Sequence, residues 1–296
     1  MKPPHGRPPG PNRFARSDQR PAQGPGQGAA SRPPQSRPPQ SPAFQAQPRA
    51  PRPPEAPRGA VWLYGQHAVA AALANPARRL RRLLLTEEAE AALSGRLRQP
   101  WPLAAERTER GRIDHLLGRD VVHQGVALLA DPLAPPPLAQ VLERPGPLIV
   151  LDQVSDPRNV GAILRCAAAF GAAGVVTQER NAPEETGALA KAASGALETV
   201  PLLRAVNIAR TLIALKAAGC WVVGLDAGGA ALSGPALAER RVALVLGAEG
   251  EGLRRLTRDT CDEVSGIALR GAGGGLDSLN VAAAAAVALY ELGRRA

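Results

Sequence analysis

The chain has 296 residues, room for two domains, and a hydrophobic content of 45% that permits a substantial core; with aromatics at only 3%, Ala, Leu and Val must build it. The formal net charge is +10, and its source is local: residues 1–59 hold ten Lys or Arg against two acids, Asp18 and Glu55. These numbers exclude a membrane-crossing helix, since no apolar run approaches ~18 residues, and a disulfide scaffold, since Cys166, Cys220 and Cys261 are odd in number and far apart; the expected address is cytoplasmic, with no secretory signal.

Residues 1–59 are low in complexity, holding 17 of the 30 prolines and a direct repeat of RPPQS over 32–41. Such a segment has little apolar surface to offset its ordering entropy and is expected to be disordered. Its arginines suit a non-specific RNA-attracting arm, and a solvated extension without a role is the plain alternative. From Ala60 the pattern changes to short α/β elements. A strand is expected at 62–65, a helix at 67–76 stopped by Pro76, a strand running into a helix from 81 to about Gly95, a strand at 101–106, a helix at 109–118 ended by Gly118, and a strand at 121–130. This unit, 60–131, is followed by a proline-rich linker over 132–146.

The third region, 147–296, opens on PLIVLDQV (147–154), an apolar run of the kind buried parallel strands show. Further strands are expected at 173–178, 200–204, 220–227, 241–249 and 263–269. Helices are expected at 157–170, 184–197, 207–218 and 252–261, with a last one from about Asn280 to Arg294. Strict alternation means a parallel sheet covered on both faces.

Several chemistries lack their signatures. The histidines (His5, His67, His115, His123) have no metal-ligand spacing, and no Cys-x-x-Cys, Walker-type phosphate loop or G-x-S-x-G elbow is present, so no metal is expected. Three polar segments stand out in the apolar third region. In DPRNVGAILRCAAAFG (156–171), Asp156 suits a helix N-cap, Pro157 the first turn and Gly171 the C-terminal cap, which leaves Asn159 and Arg165 unexplained. These two lie about 240° apart on an ideal helix and converge only if Asn159 belongs to the loop or first turn. In LGAEGEGLRR (246–255), glycines 247, 250 and 252 permit close backbone approach to a ligand, and Glu249 and Glu251 suit a helix start. In LDSLNVAAAAAVALYEL (276–292), Ser278 is placed to cap the last helix, Asn280 enters its first turn, and the alanines permit close packing. Taken alone each segment is a weak signal, with a surface arginine on a helix, a capped helix start and an ordinary helix as the plain alternatives.

Together and in this order, Asn159-x-Gly161-x-x-x-Arg165, Gly247-Ala-Glu249-Gly250-x-Gly252 and Ser278-Leu279-Asn280 resemble the three motifs of the SpoU (TrmH) RNA methyltransferases, over about 147–296. YGQHAV (64–69) and VHQGVAL (122–128) resemble that family's smaller RNA-substrate-binding domain, which is like a small ribosomal protein of the L30e kind. The Gly-rich stretch 271–275 is longer than the family's usual approach to its third motif. The resemblance implies a trefoil-knotted α/β domain, a homodimer, and S-adenosylmethionine as cofactor without a metal. It implies cofactor contacts at Gly247, Gly252, Ile267 and Leu279. Arg165 would stand at the target ribose or phosphate, with Asn159, Glu249, Ser278 and Asn280 positioning it and the ribose. The RNA expected from the presence of the 60–131 unit is 23S ribosomal RNA, at a guanosine.

Other readings differ in class or substrate. A Rossmann-type enzyme built on GAGGG (271–275) fails because only about 20 residues follow it, too few for a βαβ unit. A non-enzymatic RNA-binding or ribosome-assembly protein suits the tail but leaves the three motifs without a purpose. A transfer RNA substrate remains the alternative among enzymes.

Overall fold

The computed structural model describes residues 59–180, 182–248, 250–269 and 278–294. The arginine-rich tail up to residue 58, Glu249 and the Gly-rich stretch 271–275 lie outside the described residues, and so do the expectations attached to them.

The first part of the described chain runs β1 (Val61–Tyr64), α1 (Gln66–Ala74), β2 (Leu80–Leu85), α2 (Glu87–Ser94), β3 (Ala105–Arg107), α3 (Arg110–Leu117) and β4 (Val126–Ala130). These strands form one sheet in the order β1-β4-β2-β3, antiparallel except for β2 with β3. Leu63, Leu83, Leu85, Val126 and Leu128 bury one face of it against Ala68, Val69, Ala72 and Leu73 of α1. Thr86 caps α2 by accepting from the Ala89 N–H at 3.3 Å, and Glu87, Glu88 and Glu90 sit in the first turn, where the helix dipole favours acids.

Two expected strands are shorter than the sequence reading. Of 101–106 only the end enters the sheet, as β3. Of 121–130 only Val126 onward is strand, because His123 and the next two residues turn the chain. The His123 ring is fully buried; its Nδ1 accepts from the Gly125 N–H at 3.1 Å, leaving Nε2 to donate to Asp114 Oδ1 at 2.8 Å. Gln124 (φ 59°) and Gly125 (φ 74°) then take left-handed conformations that a strand does not admit.

The stretch 132–146, expected as plain linker, contains a short helix, α4 (Leu138–Leu142), pinned by buried Val141. The remainder runs β5 (Leu148–Leu151), α5 (Pro157–Ala169), β6 (Gly174–Gln178), α6 (Gly187–Ala193), a 3₁₀ turn (Ala196–Glu198), β7 (Leu202–Ala205), α7 (Ile208–Ala217), β8 (Cys220–Ala231), α8 (Gly234–Leu237), β9 (Arg241–Leu246), α9 (Arg255–Thr260), β10 (Glu263–Gly266) and α10 (Val281–Gly293). The sheet order is β10-β8-β9-β5-β6-β7, and every neighbouring pair is parallel. Alternate residues of β5 and β9 face opposite cores. Ile149, Leu151, Leu244 and Leu246 pack with α5 and α10, whereas Leu148, Val150, Ala243 and Val245 pack with α7. This is an α/β fold with a parallel sheet covered on both faces, and ligand sites in such sheets lie beyond the carboxyl ends of the strands.

Several boundaries differ in this part; the helix expected over 184–197 is α6 and a separate 3₁₀ turn, and the strands expected over 241–249 and 263–269 end at Leu246 and Gly266. The helix expected over 252–261 begins at Arg255, because Gly250 (φ 85°) and Gly252 (φ 67°) hold the preceding backbone in a turn. Glu251 therefore lies within a turn rather than at a helix start. β8 runs on to Ala231, and α8, which has only one turn, went unread. The last helix is capped by Asn280, not Ser278: Asn280 Oδ1 accepts from Ala282 N at 2.9 Å and Ala283 N at 3.4 Å.

The two sheets meet through α6 and the segments around it. A Cβ on Gly187 would come within 2.3 Å of the Trp62 carbonyl oxygen and of the Tyr64 ring, so only glycine lets α6 lie this close to β1. Nearby, the fully buried Arg78 guanidinium pairs with Glu185 and Glu198 and donates to the Asp131 carbonyl at 2.9 Å. Asn75 Nδ2 adds a bond to Glu198 at 2.7 Å, and the Leu133 N–H one to Glu185 at 3.1 Å. Burial raises the Glu185 pKa, and the Arg78 charge opposes that rise.

Candidate active site

The three polar segments converge at the ends of β5 and β9. Asp156 caps α5, accepting from Arg158 N at 2.8 Å with Pro157 in the first turn. This leaves Asn159 in the helix's first turn. There its Oδ1 accepts from Asn280 Nδ2 at 3.0 Å, across 121 positions of sequence. Since Asn280 also caps α10, one side chain fixes the start of that helix and ties it to α5. The helices run together along a small-residue seam, with Ala167 of α5 and Ala282, Ala285 and Ala288 of α10 buried.

The glycine segment after β9 is a closed turn. Ala248 and Gly252 exchange two backbone hydrogen bonds, at 3.1 and 3.0 Å. A Cβ on Gly247 would lie 2.2 Å from the Gly252 carbonyl carbon, so the chain passes itself where only glycine fits. A fully buried carboxylate anchors this turn. Asp152, the first residue beyond β5, receives Arg254 Nε at 2.7 Å, Nη2 at 2.6 Å and the Arg254 N–H at 3.2 Å. Its own N–H donates to Leu246 O at 2.8 Å. A buried acid must be paired, and here the pairing sets where the glycine turn stands relative to α5.

Ile267 follows β10 directly and is half-buried, as is Leu279; Ser278 is exposed. Arg165 is exposed on α5 and makes no hydrogen bond or ion pair with the described residues. Six positions along a regular helix from Asn159, it points away from the Asn159–Asn280 contact, so the structure does not bring it to that pair. Glu249 lies outside the described residues. Arg158, unread in the sequence, stands close enough to Tyr64 of β1 for its charge to offset part of the rise that burial gives the phenol pKa. A cavity of about 900 Å³ lies elsewhere, between Trp62, Pro132, Pro135, Pro136 and Glu185, and holds none of the motif residues.

Sequence reading missed Asp152 and Arg254. The only signal for Asp152 was a charged residue directly after an apolar strand, which by itself marks any strand end, and Arg254 reads as an ordinary arginine before a helix. None of the cysteines is a candidate nucleophile: burial raises all three thiols, that of Cys261 to about 11.

Residues 146–290 match the model of the SpoU rRNA methylase family, and residues 62–136 match that of the RNA 2′-O ribose methyltransferase substrate-binding domain. The chain is 40% identical over 198 residues to the 23S rRNA (guanosine-2′-O-)-methyltransferase RlmB of Bordetella pertussis, covering 66% of this chain and 77% of that one. To the RlmB of Ralstonia nicotianae it is 39% identical over 250 residues, 79% of this chain and 95% of that one. The fold is also that of the SpoU methyltransferase AviRb from Streptomyces viridochromogenes, solved with its cofactor AdoMet, with a TM-score of 0.63 and 22% identity over 79% of this chain and 89% of that one. The chain belongs to the SpoU rRNA methylase family and is an RNA 2′-O-ribose methyltransferase.

Proposed function

We propose that this protein transfers a methyl group from S-adenosylmethionine to the ribose 2′-hydroxyl of a guanosine in 23S ribosomal RNA. The observation that carries the reading is the Asn280–Asn159 bond, which joins the first and third motifs beside the anchored glycine turn. The 23S guanosine follows from relatives of that activity that align over most of their length.

The residues present fit the cofactor. Bare glycine backbone at 247 and 252 offers amide groups, and half-buried Ile267 and Leu279 offer apolar ones, of the kind a flat adenine takes. When bound, the cofactor supplies an electrophilic methyl on a sulfonium centre. The chain's own work is orientation, which by itself accounts for a large share of such accelerations. Arg165 is free of partners among the described residues and presents a planar fork of donors to a phosphate or ribose oxygen. It stays cationic and is a poor base at neutral pH, so its part is to hold the phosphate and stabilise negative charge developing on the 2′-oxygen. Asn159 and Asn280 set the helix ends that frame the ribose, with Ser278 and Glu249 as further positioning groups.

Assembly and architecture belong to the same proposal. The domains are a Pro/Arg-rich tail over 1–59, an L30e-like RNA-binding domain over 60–131, a linker over 132–146 and a trefoil-knotted methyltransferase domain over 147–296. The active form is a cytoplasmic homodimer. Exposed Phe170, Val287 and Tyr290 on α10 and the end of α5 support a dimer face there, with the Phe170 and Tyr290 rings edge to face at 6.5 Å. Incubating purified protein with labelled S-adenosylmethionine and 23S RNA, then digesting to nucleosides, tests the activity. The label is expected in 2′-O-methylguanosine with chelator present; label on a base, or activity that chelator abolishes and a divalent ion restores, overturns it.

A further inference from the structure

We infer that Asp226 is a cofactor-binding residue that accepts hydrogen bonds from the ribose hydroxyls of S-adenosylmethionine; this rests on the cofactor assignment above. Parallel pairing of β8 with β10 is interrupted: Val264 pairs with Gly224, but the next residue, Ser265, pairs with Ala230. Residues 225–229 therefore loop out of the ladder. This excursion lies against the end of β10, because a Cβ on Gly266 would come within 2.9 Å of both the Asp226 and Gly229 carbonyl oxygens. Ile267, one assigned cofactor position, is the next residue. On the other side the Asp226 carboxylate faces a second one, Gly252, whose Cβ would stand 3.7 and 3.8 Å from Oδ1 and Oδ2. Asp226 thus sits between two backbone stretches assigned to the cofactor, its carbonyl against one and its carboxylate facing the other, where a side chain at Gly252 would stand against it.

The charge on this carboxylate is already balanced. Arg258 of α9 donates to Oδ2 at 2.6 Å, while Oδ1 has no hydrogen-bond partner among the described residues. Asp226 is mostly buried, with 21% of its side chain exposed. An acid neutralised by a guanidinium has little to offer an ammonium group, but its second oxygen remains a strong acceptor for a neutral hydroxyl. The ribose diol is the part of the cofactor with that chemistry. A purely structural Asp226–Arg258 pair tying α9 to β8 makes the opposite prediction about the sugar.

The test is calorimetric binding of S-adenosylhomocysteine and its 2′,3′-dideoxy analogue to the full-length protein without RNA. Wild type is expected to prefer the ribose form by on the order of tenfold or more, the usual weight of a hydrogen bond to a charged group. Asp226→Ala should bind both ligands alike. Asp226→Asn, which keeps the shape and one acceptor, should fall between and serves if the alanine variant does not fold. Discrimination in Asp226→Ala or Asp226→Asn equal to wild type overturns the inference while leaving the cofactor assignment standing. No binding of S-adenosylhomocysteine by wild type overturns both.

Discussion

Arg165 and Asn159 are separated by function as well as by direction. Arg165 has no role in packing, so replacing it should leave the melting temperature and cofactor affinity unchanged while methyl transfer falls by orders of magnitude. Arg165→Lys should be nearly as inactive, because an ammonium is a point charge without the planar fork. Near-normal turnover of the lysine variant contradicts the assignment. Asn280→Ala removes a helix cap, at about 1 kcal/mol, together with the bond to Asn159. It should lower both stability and turnover, and a variant that loses neither shows the contact to be incidental. The Cys261 thiol, pushed up to about 11, stays protonated at neutral pH and should alkylate far more slowly than an exposed thiol. At this scale the pair Asn159 and Asn280, which the structure joins, was legible, because an Asn in an otherwise apolar segment needs a reason. Asp152, Arg254 and Asp226 were not: a carboxylate at a strand end reads as solvated until the fold shows it buried or facing a glycine turn.

Among the elements, the glycine turn between β9 and α9 leaves no room for a side chain at Gly247. Gly247→Ala must push the Gly252 carbonyl aside and open the Ala248–Gly252 pair. The expected result is a folded protein whose affinity for S-adenosylmethionine drops by on the order of tenfold or more, and unchanged affinity contradicts the role given to this turn. The main strands and helices of the parallel sheet were readable from apolar runs and caps, since a strand buried on both faces has no polar alternation. The errors fall where local chemistry competes with pattern. VVHQG continues an apolar run, yet the His123 ring bonds and two positive φ angles turn it out of the sheet. EGEGL reads as an acidic helix start, yet positive φ at Gly250 and Gly252 delays α9 to Arg255. Ser278 is a good capping type, and only the packing of α10 on α5 selects Asn280 instead.

For the whole molecule, the junction of the two sheets rests on one buried cation. Arg78 holds two nearly buried carboxylates from the methyltransferase part, Glu185 and Glu198. Removing it with Arg78→Met leaves both unpaired, a loss of about 3–5 kcal/mol where a buried pair is broken on one side. Calorimetry should show a large drop in stability, and a melt like wild type's would show that the junction does not depend on this cluster. The tail is the least legible part: its charge was evident, its use was not. If residues 1–59 engage RNA through counterion release, deleting them should flatten the salt dependence of RNA affinity without moving the methylation site. The most direct measurement of the central claim is a map of ribose methylation across 23S and transfer RNA, from cells lacking this protein and from cells with it restored. The account predicts loss of one 2′-O-methylguanosine in 23S RNA, its return with the wild-type gene, and no return with the Arg165→Ala variant. An unchanged 23S map, or a mark lost from transfer RNA instead, would contradict it.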